Sequence, residues 1–191
     1  MMCRTAAAAL AMLLFGGCAA TPPPHFYTLT ASPGAPAAAT DMSVAVGPVT
    51  IPAVVDRPQI VVQTGPNEVR LDEFNRWAAP LASSIGRVVA ANLVTLLGTP
   101  RVVLTPPALG TDTEYRVLIQ VQRFDSALGE AATLDAVWVI SGPGDKKPQT
   151  GRTTVREAAS DKTFEALAAA HSKALGRLSR DVAAGVQAMG R

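Results

Sequence analysis

The chain has 191 residues, of which 48% are hydrophobic and 17% are charged, and its formal net charge is +2 at pH 7. This length is enough for one domain with a sizeable core and short for two. The near balance of charge argues against the concentrated basic surface of nucleic-acid-binding proteins, so we expect no nucleic-acid partner.

The N-terminus has the organisation of an export signal. Arg4 is its only charged residue, the apolar run 6–15 follows, and Gly16 and Gly17 end it. Ten residues of helix rise only about 15 Å, which is half of a bilayer's hydrocarbon core. We therefore predict a cleaved signal peptide over residues 1–17 rather than a membrane-spanning anchor.

Cys18 directly follows this signal, and the only other cysteine, Cys3, lies inside it. A disulfide between them would close a small loop within the signal and would stabilise no folded core. The stretch Leu14-Phe15-Gly16-Gly17-Cys18 resembles the lipobox of bacterial lipoproteins. The resemblance implies acylation of Cys18 with palmitate-type chains, cleavage before it and, because Ala19 rather than aspartate follows, delivery to the outer membrane. An ordinary secretory signal with an incidental cysteine remains the alternative.

Residues 18–24 form a lipidated tether in this interpretation, and residues 25–191 form the folded domain. The run Pro22-Pro23-Pro24 favours extended polyproline II, so the tether reaches about 20 Å from the lipid. Residues 25–30 are rich in aromatic and β-branched side chains and predict a first strand. The loop 31–40 is given no structure because it is rich in proline, glycine and alanine.

Alternating apolar residues predict a sheet along much of the domain. A strand over 43–52 should bend at Gly47-Pro48, and two further strands flank the turn 64–67. Segments 115–124 and 134–140 alternate apolar and polar positions and predict an antiparallel hairpin around Gly129. Short strands at 101–104 and 150–157 complete the sheet.

Two segments have helical periodicity instead. The first, about 80–98, begins at Pro80 and is stopped by Gly98. The second, about 161–189, should be capped by Ser160 or Asp161 and has a long apolar stripe that we expect to be a core face. His171 lies on that stripe and is expected to be half-buried with one hydrogen bond. The fold class is thus α+β, a single domain whose mostly antiparallel sheet is packed by two main helices.

No residue pattern supports catalysis or metal binding. A G-x-S-x-G elbow, an H-E-x-x-H helix and a Gly-Lys-Ser/Thr phosphate loop are all missing from the sequence. His25 and His171 lie far apart in the sequence, and the sulfur of Cys18 is acylated in the lipoprotein interpretation. We therefore expect no enzyme activity, no metal and no cofactor other than the covalent lipid.

An ordered set of short motifs runs along the chain after the signal. The motifs are Tyr27-Thr28-Leu29, Val46-Gly47-Pro48-Val49 with Ile51-Pro52, Asp56-Arg57-Pro58-Gln59-Ile60-Val61, Arg76-Trp77-Ala78-Ala79-Pro80-Leu81, and Arg123-Phe124-Asp125 with Trp138. In this order they resemble the ABC-type transport auxiliary lipoproteins of the PqiC type, and the resemblance covers nearly all of the chain after the signal.

The resemblance implies a role in MCE-type lipid transport, with an MCE-domain protein and, through it, an inner-membrane permease and ATPase as partners. Because arginine and tryptophan are favoured at interfaces, the candidate partner contacts are Arg57, Pro58, Gln59, Arg76 and Trp77. The alternatives are that the ring of Trp77 belongs to the core and that Arg57 fixes a turn.

Two other functions stay open at the level of the sequence. One is a structural or cell-wall-associated lipoprotein, and the other is a periplasmic carrier that holds a hydrophobic ligand in its own cavity. The carrier would need an apolar pocket of at least several hundred Å³. Self-association into a homo-oligomer is compatible with each of these functions.

The lipid anchor yields a first prediction. Cys18→Ser should leave an unprocessed precursor, because the sulfur of Cys18 is the acylation site. Mass spectrometry of the membrane fraction checks this. A mature protein that begins at another residue and carries no acyl mass on Cys18 would contradict the lipoprotein interpretation.

Overall fold

A computed structural model describes residues 22–105 and 112–190, so that the predicted signal peptide, Cys18 and residues 19–21 of the predicted tether lie outside the described residues. The elements in chain order are β1 (His25–Tyr27), β2 (Val44–Thr50), β3 (Gln59–Gly65), β4 (Glu68–Trp77), α1 (Leu81–Leu97), β5 (Val102–Leu104), β6 (Tyr115–Ala127), β7 (Ala131–Ser141), β8 (Gln149–Ala158) and α2 (Phe164–Met189).

The strands form one eight-stranded sheet centred on β6. One edge of β6 pairs with β7, which pairs with β8, and both pairings are antiparallel. The other edge of β6 pairs in parallel first with β2 and then with β3. Beyond these strands, β5 pairs with β2, and β4 and β1 extend the sheet from β3.

The α+β single-domain fold with two helices is confirmed, and the sheet is mixed: its long pairings are antiparallel, and shorter parallel pairings accompany them. Hairpins between neighbouring strands, such as β6–β7, are necessarily antiparallel, and they are the pairings that a local sequence pattern indicates. The pairs β1–β4, β2–β5, β2–β6 and β3–β6 join distant segments and are parallel.

Both helices cover the same face of the sheet. Helix α1 packs on β2 and β5, α2 packs on β6, β7 and β8, and the helices contact each other. Along β6, Val117, Ile119 and Val121 are buried whereas Leu118 and Gln120 are exposed, so the opposite face is open. Within the described residues, neither helix combines the length and the hydropathy that crossing a membrane requires.

The apolar stripe of α2 is the centre of the core, as the sequence predicted. Its positions from Leu167 to Val186 are almost completely buried. The predicted N-cap was wrong: Thr163 caps the helix, and its hydroxyl accepts a hydrogen bond from the Ala166 amide at 3.1 Å. Asp161 instead accepts from the Thr163 amide at 2.7 Å, so it orients the cap.

The loop 31–40 is fixed by polar contacts with both helices. The Ser32 amide donates to Asn92 Oδ1 at 2.8 Å, and Asn92 Nδ2 donates to Ser179 Oγ at 3.0 Å. A Cβ on Gly176 would lie 2.3 Å from the Ser32 carbonyl oxygen, so only glycine allows the loop to cross α2 this closely. The Asn92 side chain thus joins the loop, α1 and α2.

Burial of the α2 stripe gives a second prediction. Leu178→Asp places an unpaired carboxylate in the core and should lower the free energy of unfolding by about 4 kcal/mol. Leu178 is fully buried, whereas the matched control Arg180→Asp changes an exposed residue and should cost little. Thermal unfolding compares the two variants, and equal melting temperatures would show that the stripe is not buried.

Candidate docking site

The five residues that the sequence analysis selected as partner contacts come together at one end of the β3–β4 pair. Arg57 and Pro58 lead into β3, which begins at Gln59, and Arg76 and Trp77 end β4. Gln59 pairs with Arg76 in the antiparallel register. The Trp77 amide donates to the Pro58 carbonyl oxygen at 2.7 Å. Strand pairing therefore unites two segments that are separate in the sequence.

A bulge in β4 positions this end of the strand. Asp72 Oδ1 accepts from the amides of Phe74 at 3.1 Å and Asn75 at 2.9 Å, and from the Asn75 side chain at 2.9 Å. Arg70 also donates to the other carboxylate oxygen, Oδ2, at 2.9 Å. Burial disfavours the ionised carboxylate, but these hydrogen bonds outweigh it and lower the pKa of Asp72. The ionised side chain thus holds the bulge.

A groove of about 420 Å³ opens beside the paired segments. It is lined by Asp56, Arg57, Pro58, Trp77, Ala78, Ala79, Pro80 and Leu81. The Nε atom of Arg57 is buried and has no hydrogen-bond partner among the described residues. That atom is covered by the protein itself, so the groove offers an apolar floor beside the half-buried guanidinium of Arg57, a cation that favours a carboxylate on another molecule.

Arg76 does not line the groove but directly precedes Trp77 in β4, and we call this exposed neighbouring position the rim of the site. Its Nε donates to the Glu73 carbonyl oxygen at 2.8 Å, and its guanidinium forms an exposed ion pair with the Glu73 carboxylate at 3.5 Å. Such an exposed pair contributes little to stability, so Arg76 can exchange Glu73 for an acidic group on a partner at low cost.

The ring of Trp77 belongs to the core, which is the alternative that the sequence analysis gave for this residue. Its indole meets His171 at 6.1 Å between ring centroids and Phe124 at 6.2 Å, both edge to face. Phe124 in turn stacks on His171 at 3.9 Å. Only the border of Trp77 is left to line the groove, because 7% of the residue is exposed.

His171 is completely buried rather than half-buried, and it has the single hydrogen bond that was expected. Its Nε2 lies 2.8 Å from Ser126 Oγ, while Nδ1 has no partner among the described residues. Burial lowers the pKa of His171 to about 3, so the imidazole is neutral at physiological pH. Ser126 is also buried, and this serine–histidine pair therefore lies out of reach of a substrate.

The described residues contain no group of three or more histidine, cysteine, aspartate or glutamate side chains placed to hold a metal ion. Cys18 lies outside the described residues. The sequence reasoning missed the residues 78–81 that line the groove. The run Ala78-Ala79-Pro80 could have indicated the groove from the sequence, because small residues between a strand and a helix leave space at the surface.

The titration of His171 gives a third prediction. An unfolded histidine has a pKa near 6.5, so below that pH the unfolded chain binds a proton that the folded domain excludes. Stability should fall as the pH decreases from 7 to 5, by about 1.4 kcal/mol per pH unit once the unfolded histidine is protonated.

His171→Phe should abolish that part of the pH dependence, whatever its effect on stability at pH 7. Urea unfolding at pH 7, 6 and 5 measures it. His25→Phe, which removes an exposed histidine at the start of β1, is the control. Parallel pH profiles for the wild type and His171→Phe would contradict the burial of a neutral imidazole.

Comparisons with known structures support the fold. A crystal structure of a Xanthomonas campestris protein assigned to the DUF330 family is similar, with a TM-score of 0.68 and 20% identity over 87% of this chain and 96% of that chain. A crystal structure of an uncharacterised protein has a TM-score of 0.71 and 17% identity over 86% and 99% of the two chains. At these identities the likeness shows a shared fold.

The sequence comparison identifies the family. Searching curated proteins returned no match. Residues 27–183 match the family model described as the ABC-type transport auxiliary lipoprotein component, and this range includes β3, β4, the groove and most of α2. The chain therefore belongs to the family of ABC-type transport auxiliary lipoprotein components.

Proposed function

We propose that this protein is the docking subunit of an MCE-type lipid-transport system and that it acts by binding rather than by bond chemistry. One observation carries the proposal: in a member of a transport auxiliary family, Arg57, Pro58 and Trp77 line an apolar groove, and strand pairing brings Gln59 and Arg76 next to them.

The chemistry of the groove defines the kind of partner surface that fits. A buried apolar side chain of the partner fills the space beside Trp77 and Leu81, and a carboxylate next to it pairs with Arg57. Arg76 adds a second charge at the rim. Interfaces commonly combine an apolar anchor with arginine contacts in this way.

An MCE-domain protein that crosses the periplasm is the partner in this proposal. It connects the lipoprotein to an inner-membrane permease and ATPase, which supply the energy for lipid movement. The acylated Cys18 holds the lipoprotein at the outer membrane, and more than one acyl chain makes that attachment lasting. The tether keeps the domain within about 20 Å of the membrane.

The interior of the domain does not favour the carrier alternative. The space between the helices and the sheet is filled by the protein's own side chains, such as Leu93, Ile119 and Leu175, which are at most 2% exposed. A carrier has to enclose most of its ligand in an apolar pocket. Lipid therefore passes along the partner in our proposal, and this domain supplies the attachment.

Binding to the neighbouring MCE protein is the fourth prediction. Arg57→Glu should weaken binding by about tenfold or more, because it places a second acid against the partner's carboxylate. Arg76→Glu, at the rim, should act mainly on the association rate and its salt dependence. Arg156→Glu reverses an exposed charge on β8 and is the matched control.

Surface plasmon resonance on the purified proteins measures these affinities, and melting temperatures verify that each variant is folded. Deletion of the gene should also make the outer membrane more permeable to detergents, and an acylated copy should restore the barrier. No detectable MCE binding together with a wild-type barrier after deletion would overturn the proposal and favour a cell-wall role.

A further inference from the structure

Exposed apolar side chains are concentrated near the start of the domain. Among the described residues, Phe26 is 62% exposed, Val69 is 51%, Phe74 is 39% and Leu71 is 37%. All four belong to β1 and β4, which lie side by side in the sheet. We refer to Phe26, Val69, Leu71 and Phe74 as the apolar wing.

Strand register places three of the four on the open face of the sheet. Val62 pairs with Arg70 and also with Ser126, whose hydroxyl reaches His171 on α2, so this row faces the helices. Leu71 is the next residue after Arg70 and therefore points away from the helices, as does Val69.

The same reasoning applies to Phe26 on β1. Its neighbour Tyr27 pairs with Trp77, whose indole contacts His171 of α2. Phe26 pairs with Arg76, so strand alternation directs it to the open face, although β1 is an edge strand and Phe26 also borders a cleft against Glu165 and Ala168 of α2. Phe74 lies in the bulge of β4, one residue before Asn75, which pairs with His25.

The tether leads directly to this wing. Residues 22–24 precede β1, and Cys18 lies only eight residues before Phe26. A tether of this length, even when fully extended, keeps β1 within about 20 Å of the lipid attached to Cys18. The wing is therefore the apolar surface that the membrane can reach with the least reorientation of the domain.

We propose that the apolar wing rests on the bilayer that holds acylated Cys18, with Phe26 and Phe74 at the level of the lipid headgroups. This inference depends on the membrane anchoring in the proposed function. Aromatic side chains favour that interface because they are large and apolar. The bilayer thus orients the domain, and the groove at the Trp77 end of β4 meets the partner beside the membrane.

Charge distinguishes the wing from the rest of the open face. On β4, Arg70 pairs with Asp72 and Arg76 with Glu73, and Glu68 adds a further negative charge, so the contact needs no anionic lipid. The open face over β6–β8 instead presents polar groups such as the Arg152–Asp135 pair, in which Nε and Oδ1 are 2.8 Å apart. That region faces water.

Site-specific fluorescence on the full-length acylated protein tests the inference. Acylation consumes the sulfur of Cys18, so Val69→Cys introduces a single free thiol for an NBD label. The protein is reconstituted in phosphatidylethanolamine vesicles that contain dibromo-phosphatidylcholine. Thr154→Cys, an exposed position on the open face of β8, is the control. Mass spectrometry verifies the acyl chains in each sample, so failure of the anchor and failure of the wing are distinguishable.

The label at position 69 should be quenched about twofold by the brominated lipid and protected from iodide, and the label at position 154 should show the reverse. About 0.5 M KCl should change neither result, because the contact is apolar. When Phe26→Ser and Phe74→Ser are combined with the labelled Val69→Cys variant, the lipid quenching at position 69 should disappear, and the melting temperature should not fall.

Two results from acylated protein would overturn the inference. Equal iodide quenching at positions 69 and 154 would show that the wing faces water. Protection of position 69 from both quenchers would show that protein, such as a second copy of this chain, covers the wing.

Discussion

The rest of the structure depends on burying the apolar stripe of α2 away from water, which the sheet does. The stripe positions from Leu167 to Val186 are buried against β6, β7 and β8, and α1 extends the same layer over β2 and β5. Because both helices lie on one face, neither of them covers the other face. That asymmetry stabilises the core on one side and exposes the surfaces at β1, β3 and β4 for which we propose a partner and a membrane.

The aromatic cluster of Trp77, Phe124 and His171 connects this core to the candidate docking site. His171 belongs to the α2 stripe, Phe124 to the central strand and Trp77 to the end of β4. Their packing fixes the Trp77 wall of the groove, which Arg57 also lines. A rigid apolar wall beside a charged side chain suits a site that binds another protein without changing fold.

Local patterns were sufficient to predict the two helices, the β6–β7 hairpin and the burial of the α2 stripe, because each depends on periodicity within one segment. The parallel pairings of β6 with β2 and β3 depend on distant segments and left no local signal. The Asp72 bulge and the loop bound by Asn92 depend on single side-chain hydrogen bonds. Arg57 and Arg76 were selected by residue type and family resemblance, and only strand pairing showed that they adjoin.

Site-specific photo-crosslinking in living cells tests docking most directly. Asp56, an exposed residue that lines the groove, and Thr150, on the distant strand β8, are each replaced by p-benzoylphenylalanine in the acylated protein. The docking proposal predicts that irradiation joins the variant at position 56 to the MCE-domain protein and leaves the variant at position 150 unlinked. Absence of the adduct at position 56, or equal yields at both positions, would contradict docking through the groove.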